Sequence, residues 1–309
     1  MPAWISLGGA VLVGVLTAAQ ARINGQLGVR LDDGLVAGLI SFGSGLLILI
    51  VVSLAVPSGR RGFTALISGV RSRGIPWWML AGGAAGALTV ATQGLAVGII
   101  GVSLFTVGVV AGQTVCGLVL DRAGFGPAGV VAVTLPRLAG GGLALVAVGI
   151  AVVGDGLSGI PLWLLVLPLV TGVGVAWQQA TNGRLKQRVG SPFTATLVNF
   201  IGGTIILVVA AAIHVALVGL PASAPTDPWL YVGGGIGVVY IVLSAALVAH
   251  TGVLLLGLGV VAGQLIASFV IDVVWPAPAG PGFAQAISMV IVALLSVVVA
   301  TVPWRRLRR

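Results

Sequence analysis

The chain has 309 residues, 58% of them hydrophobic and only 7% charged, with a formal net charge of +9. Soluble domains carry roughly 25% charged residues, so a water-soluble globule is excluded. The positive balance does not imply nucleic-acid binding, because the basic residues lie in short stretches between apolar runs and at the C-terminus.

Apolar runs of about 20 residues recur along the whole chain, which is the mark of transmembrane helices. They are continuous rather than alternating, which argues against a β-barrel. The sequence therefore predicts an all-α polytopic membrane protein. Ten spans are read at 4–22, 35–56, 76–97, 101–120, 137–153, 162–182, 192–217, 229–249, 253–271 and 285–302. The first ends in Ala19-Gln20-Ala21, a pattern found at signal-peptide cleavage sites. No Lys or Arg precedes it, so it is read as a retained helix. Asp32 and Asp33 read as an acidic pair opening span 2. The single cysteine, Cys116, lies in mid-span, excludes an intramolecular disulfide and reads as a small packing residue.

Thirteen of the fifteen basic residues fall on one side of this arrangement, among them Arg60, Arg61, Arg71, Arg73, Arg122, Arg137, Arg184, Lys186 and Arg188. Only Arg22 and Arg30 fall on the other. The richer side should be cytoplasmic, which places both termini inside. The basic tail at 304–309 reads as a topology anchor near anionic lipid.

Residues 109–121 (VVAGQTVCGLVLD) and 260–272 (VVAGQLIASFVID) match at seven of thirteen positions. A shift of 158 pairs Gln20 with Gln178, Asn24 with Asn182, Phe42 with Phe200 and Gly45 with Gly203. A shift of 151 pairs Trp78, Gly82, Gly83 and Gly86 with Trp229, Gly233, Gly234 and Gly237. The chain thus reads as two similar five-helix halves, 1–154 and 155–309, forming one transmembrane domain. An odd number of spans per half makes the halves enter the membrane from opposite sides. This inverted-repeat plan is the one many secondary transporters use for alternating access.

The 5+5 plan, the Asn-Gly after span 1 and its copy after span 6, and the Ala-Gly-Gln…Asp pattern in spans 4 and 9 resemble the drug/metabolite transporter superfamily. Within it they are most similar to the YdcZ-like bacterial inner-membrane branch. The most specific stretches are Gly263-Gln264…Ile271-Asp272 and Asn182…Ser191-Pro192…Asn199-Phe200. The resemblance spans the whole chain and implies a transporter of exporter type without naming a cargo.

Polar groups at membrane depth are functional candidates by default. Gln113 and Gln264 each lie eight residues from an Asp, about 12 Å deeper along a helix. They could line a central cavity or bond helix to helix. Gln20 and Gln178 near the ends of spans 1 and 6, and Gln93 and Asn199 in mid-span, complete the substrate-binding candidates. Asp121 and Asp272, near opposite surfaces, could couple transport to protons or stand as solvated interfacial carboxylates. Arg22 could attract an anionic group or neutralise an acid, or it could snorkel to the outer interface. Asn24 and Asn182 read as helix C-caps. His214 is expected near the outer end of span 7 and His250 in a short cytoplasmic turn.

There is no Glu, and no acid lies in the middle of any span, which disfavours direct ion pairing with lipophilic cations. No GxxxxGK[ST] loop is present, so the chain does not hydrolyse ATP. The expectation is a secondary-active exporter of a small neutral or weakly polar metabolite, not an enzyme, with no cofactor, no catalytic residue and no metal. Its expected partners are that metabolite and the lipid bilayer, with a homodimer the assembly to consider and no nucleic acid. The competing readings are an intramembrane lipid-modifying enzyme and a non-transporting scaffold subunit.

Overall fold

A computed structural model describes residues 3–127, 129–153 and 161–301, with side chains left undescribed at 3, 4, 6, 151–153, 245, 246, 248–258 and 301. The described elements are all helical: α1 (Ala3–Leu31), α2 (Gly34–Ala55), α3 (Pro57–Arg71), α4 (Gly82–Thr92), α5 (Gly98–Ile100), α6 (Val102–Arg122), α7 (Leu135–Val153), α8 (Leu162–Val189), α9 (Pro192–Val218), α10 (Gly233–Val274) and α11 (Phe283–Thr301). Short 3-10 turns at Trp77–Leu80 and Pro228–Tyr231 lead into α4 and α10. A π-helical turn at Gln93–Val97 joins α4 to α5.

Among the described residues, seven helices are long and apolar enough to cross a membrane. Three shorter apolar stretches, Leu135–Ile150, Gly233–Ser244 and Gly259–Val274, accompany them. Helices are the only open-ended way to satisfy every backbone group in lipid. Their outer faces carry exposed apolar side chains such as Leu47, Val51, Leu54 and Leu217.

Local chemistry sets the ends. Asp33 caps α2, its carboxylate accepting from Leu35 N at 2.9 Å and Val36 N at 3.0 Å, as the acidic pair suggests. Ser191 caps α9, followed by Pro192 in the first turn, where a missing N–H is harmless. Gly190 ends α8 with φ 68°. Gly101, at φ 82°, breaks the chain between α5 and α6.

Three sequence expectations are corrected. Helix α1 runs on to Leu31 and α8 to Val189, so Asn24 and Asn182 lie inside helices and cap nothing. The adjacent Gly25 serves close packing, since a side chain there would meet Val97 and Gly98. Residues 57–71, left between spans, form the helix α3. One of its faces (Gly59, Gly62) is buried against Ser53, Ser191 and Thr194. Phe63, Ile67 and Val70 form an exposed apolar face, and Arg60, Arg61 and Arg71 are exposed beside it. That division is the signature of a helix lying in the membrane interface.

Helix α10 has 42 residues and would be about 63 Å long if straight. Its two ends nevertheless meet. The Trp229 and Trp275 rings stand 5.3 Å apart. Gln20 donates to Gly233 O at 2.8 Å while Arg22, two residues on, lies over Trp275. The arms 233–247 and 259–274 therefore run antiparallel, and the chain reverses between them, where spans 8 and 9 were separated in the sequence reading.

Helix α1 lies between these arms. It is antiparallel to the first, where Gly9 meets Leu247, and parallel to the second, where Ala10 meets Gly259 and Val11 meets Gly263. Helix α8 lies in the same way between α4, where Gln178 meets Gly86, and α6, where Pro168 meets Gly108 and Leu169 meets Gly112. At shifts of 158 for α1 and α8 and 151 for their partners, Ala10–Gly259 corresponds to Pro168–Gly108, Val11–Gly263 to Leu169–Gly112 and Gln20–Gly237 to Gln178–Gly86. At the tightest points a side chain at Gly14 would strike the backbone of Val260 and Gln264, and one at Gly172 the backbone of Val109 and Gln113. Helices α2 and α9 meet through Phe42 and Phe200, stacked at 4.4 Å and 12°. Helices α7 and α11 run antiparallel, with Gly140 against Ser296 and Ala300 and Gln285 Nε2 donating to Ile150 O at 3.0 Å. The 154/155 boundary and the basic tail lie outside the described residues.

The two tight glycines give a test. Gly14→Val and Gly172→Val should each destabilise the folded protein by at least about 1–3 kcal/mol through overpacking. Gly43→Ala, whose added methyl meets nothing within 4 Å, should be neutral or slightly stabilising. Unfolding midpoints of the purified protein, followed by size-exclusion chromatography, decide it.

Candidate functional site

Two clusters of buried amides flank the Phe42–Phe200 stack. In the first, Asn24 Nδ2 donates to Gln93 Oε1 at 2.7 Å. Gln20 Nε2 donates to Gly233 O, and Tyr240 OH donates to Gln20 Oε1 at 3.3 Å. Gln93 opens the π-helical turn, and such turns recur at functional sites. In the second, Gln178 Nε2 donates to Asn199 Oδ1 at 3.0 Å. Between α4 and α8, the Thr92 and Thr171 hydroxyls lie 2.7 Å apart. Glycines bring these groups to the rings. A side chain at Gly86 would meet the Gln178 amide, the Phe42 ring and Asn199, and one at Gly237 would meet the Gln20 amide and Phe200.

The clusters differ in access. Gln20, Asn24, Gln93 and Asn199 are at most 5% exposed, whereas Gln178 and Asn182 are half-buried and Gln179 is exposed. The more open cluster lies toward the end that carries Arg184, Lys186 and Arg188. Asn24 keeps its Oδ1, and Ser41 its Oγ, buried without a partner among the described residues. A buried amide oxygen with no donor is costly and gives the site spare acceptor capacity.

Gln113 and Gln264 sit on separate seams. Gln113 Nε2 donates to Gln179 Oε1 at 3.0 Å in the α6–α8 seam. Gln264 lies in the α1–α10 seam opposite Gly14. No hydrogen bond joins the two among the described residues.

The charged candidates are held in place. Asp121 pairs with Arg137, both about 30% exposed. Asp272 is no free interfacial carboxylate: its oxygens accept from Val102 N at 2.9 Å and Ser103 N at 2.6 Å, capping the start of α6 from another helix. Arg22 does not snorkel. It is 3% exposed, and its guanidinium lies 4.5 Å from the centre of the Trp275 ring. At the Arg-rich end, Arg184 donates to Gly124 O at 2.6 Å and Phe125 O at 3.0 Å. Phe125 in turn stands 4.7 Å from Trp78 and 4.6 Å from Trp177. His214 approaches Asp33 at 3.6 Å, while the His250 side chain lies outside the described residues. The sequence reading missed Tyr240, Trp275, Phe125 and the π-helical turn. The glycine triplets Gly82/83/86 and Gly233/234/237 mark instead where Gln178, Asn199, Gln20 and the Phe42 and Phe200 rings crowd the backbone.

Apolar helices of membrane length around a polar interior define a polytopic membrane protein. A family model described as "Putative inner membrane exporter, YdcZ" matches residues 5–152 and 163–299. The chain belongs to this family, the YdcZ-like branch of the drug/metabolite transporters. No curated protein matches it.

The buried amide pair and the interhelical cap can each be tested. Asn24→Leu or Gln93→Leu alone should cost about 1–3 kcal/mol by stranding the partner. The double substitution should cost less than the two together, which a double-mutant cycle of unfolding free energies reads directly. Asp272→Ala should cost about 0.5–2 kcal/mol as a lost cap. Asp121→Ala, breaking a half-exposed pair, should cost at most about 1 kcal/mol, as compared by unfolding midpoints.

Proposed function

We propose that this chain is a secondary-active exporter of a small neutral or weakly polar metabolite, working by alternating access and not by catalysis. On this reading it has ten membrane spans in two inverted five-helix repeats, 1–154 and 155–309, with both termini cytoplasmic. One observation carries the proposal. The first helix of each half lies between the third and fourth helices of the other, and its close glycine contacts recur at matching positions, Gly14 against Val260 with Gly172 against Val109 among them. Two interlocked units of one design can rock about a shared centre and expose it to either side in turn.

The centre is the amide belt. Gln20, Gln93, Gln178 and Asn199 offer donors and acceptors without net charge, which suits a polar but uncharged load. The Phe42–Phe200 stack supplies an apolar wall. Gln113 and Gln264 extend the polar lining along the two seams. Asp121, Asp272 and Arg22 are the groups through which proton or charge coupling would act. The greater exposure of Gln178, Asn182 and Gln179 supports an inward-accessible state, with the outer half closed over Gln20 and Asn24.

An untargeted comparison of medium and cytosol from cells lacking and overproducing the protein tests the proposal. Overproduction should move at least one small metabolite into the medium. Gln178→Ala and Asn199→Ala should each lower that export about tenfold, the effect of one lost hydrogen bond of about 1.4 kcal/mol. Identical metabolite profiles in both strains, or full export by all the amide variants, would refute the reading.

A further inference from the structure

Arg22 is used by nothing in the belt. It lies nine residues before the end of α1 at Leu31, about 13 Å along the axis and so at membrane depth. Its Nε and Nη1 atoms are buried and have no hydrogen-bond partner among the described residues. The nearest acid, Asp272, is within electrostatic reach but is committed elsewhere, both of its oxygens being bound to the start of α6. It forms no ion pair with Arg22 among the described residues; the two recorded there are Arg137–Asp121 and His214–Asp33. On the first turns of α6, the Ser103 and Thr106 hydroxyls are also buried and have no partner among the described residues.

This corner therefore holds a buried guanidinium whose nearest carboxylate is already committed to the start of α6. Trp275 covers one face of the guanidinium, which satisfies the cation in part. The ring offers no acceptor in the plane of the guanidinium, and Nε and Nη1 stay without a hydrogen-bond partner among the described residues. A buried cation with idle donors is costly unless an anion completes it. A planar carboxylate fits the guanidinium edge. A single Arg matches a single negative charge, whereas a doubly charged phosphate would leave an uncompensated charge in a closed site.

We infer that Arg22, stacked on Trp275, is a subsite for the carboxylate of a monoanionic cargo. The inference rests on the exporter reading for its meaning as a cargo contact and sharpens the load to a small metabolite with one acid group. Paired with Arg22, such an acid is a net-neutral load at membrane depth, which agrees with a belt of uncharged amides. The two buried hydroxyls of α6 supply further donors at the same corner.

Purified full-length protein in detergent is tested with acetate and benzoate against their neutral isosteres acetamide and benzamide, reading the thermal unfolding midpoint across a concentration series. The carboxylates should raise the midpoint saturably and the amides should not. Arg22→Gln should abolish the response, and Arg22→Lys should keep it with about tenfold weaker affinity. Equal shifts for acid and amide, no shift with either carboxylate, or a benzoate response that survives Arg22→Gln would overturn the subsite. Should Arg22→Gln fail to fold, the acid-amide contrast in the wild type and in Arg22→Lys decides. The metabolite comparison separates the two readings. Export confined to cargo without an acid group, unaffected by Arg22→Lys, removes the subsite and keeps the exporter. Carboxylate binding without any export does the reverse.

Discussion

The distance between helix backbones is the constraint from which the rest follows. At Gly14 against Val260 and Gln264, and at Gly172 against Val109 and Gln113, no side chain separates the helices. In lipid there is little hydrophobic gain in bringing helices together, so close van der Waals contact supplies much of the association. Those contacts fix α1 between the arms of α10 and α8 between α4 and α6. With the seams this narrow, the amides of Gln20 and Gln178 have no route except inward, against Gly237 and Gly86. The polar belt results from the glycine packing.

Much of this was legible in the sequence. Apolar run lengths gave the helical membrane class, and the paired motifs at shifts of 151 and 158 pointed to the residues that meet in corresponding contacts. Gln20, Gln178 and Asn199 were selected because an amide at membrane depth is expensive to leave idle, and they do flank one ring pair. Other features were hidden for physical reasons. Asn24-Gly25 has the composition of a helix end, but its glycine is used for close approach to Val97 and Gly98, so the helix continues. The π-helical turn at Gln93 depends on one displaced hydrogen bond that no residue pattern announces. The cap by Asp272 is made across 170 positions of chain, beyond any local signal. Helix α3 is amphipathic over only 15 residues and falls below the length at which apolar runs are counted.

The two ends of the bundle are closed by different chemistry. Where α1 ends, a carboxylate holds the start of α6 and a guanidinium rests on an indole. At the Arg-rich end, Arg184 binds the carbonyls that follow α6, and Trp78, Phe125 and Trp177 stack beneath it. Each end joins an arginine, an aromatic group and a helix terminus. One end keeps its arginine buried and only partly bound, and the other bonds it to carbonyl groups.

Helix α3 has a consequence for energetics. Two halves of one design, exchanged by a twofold axis, would give inward-open and outward-open states of equal energy, with neither preferred. Residues 57–71 have no helical counterpart at 215–229, where α9 ends at Val218 and the chain is non-helical until Pro228. Through Gly59 and Gly62, α3 binds the start of α9 on one side of the membrane only, with Phe63, Ile67 and Val70 presented to the interface. In an exporter working by alternating access, as proposed above, this one-sided helix makes the two states unequal in energy.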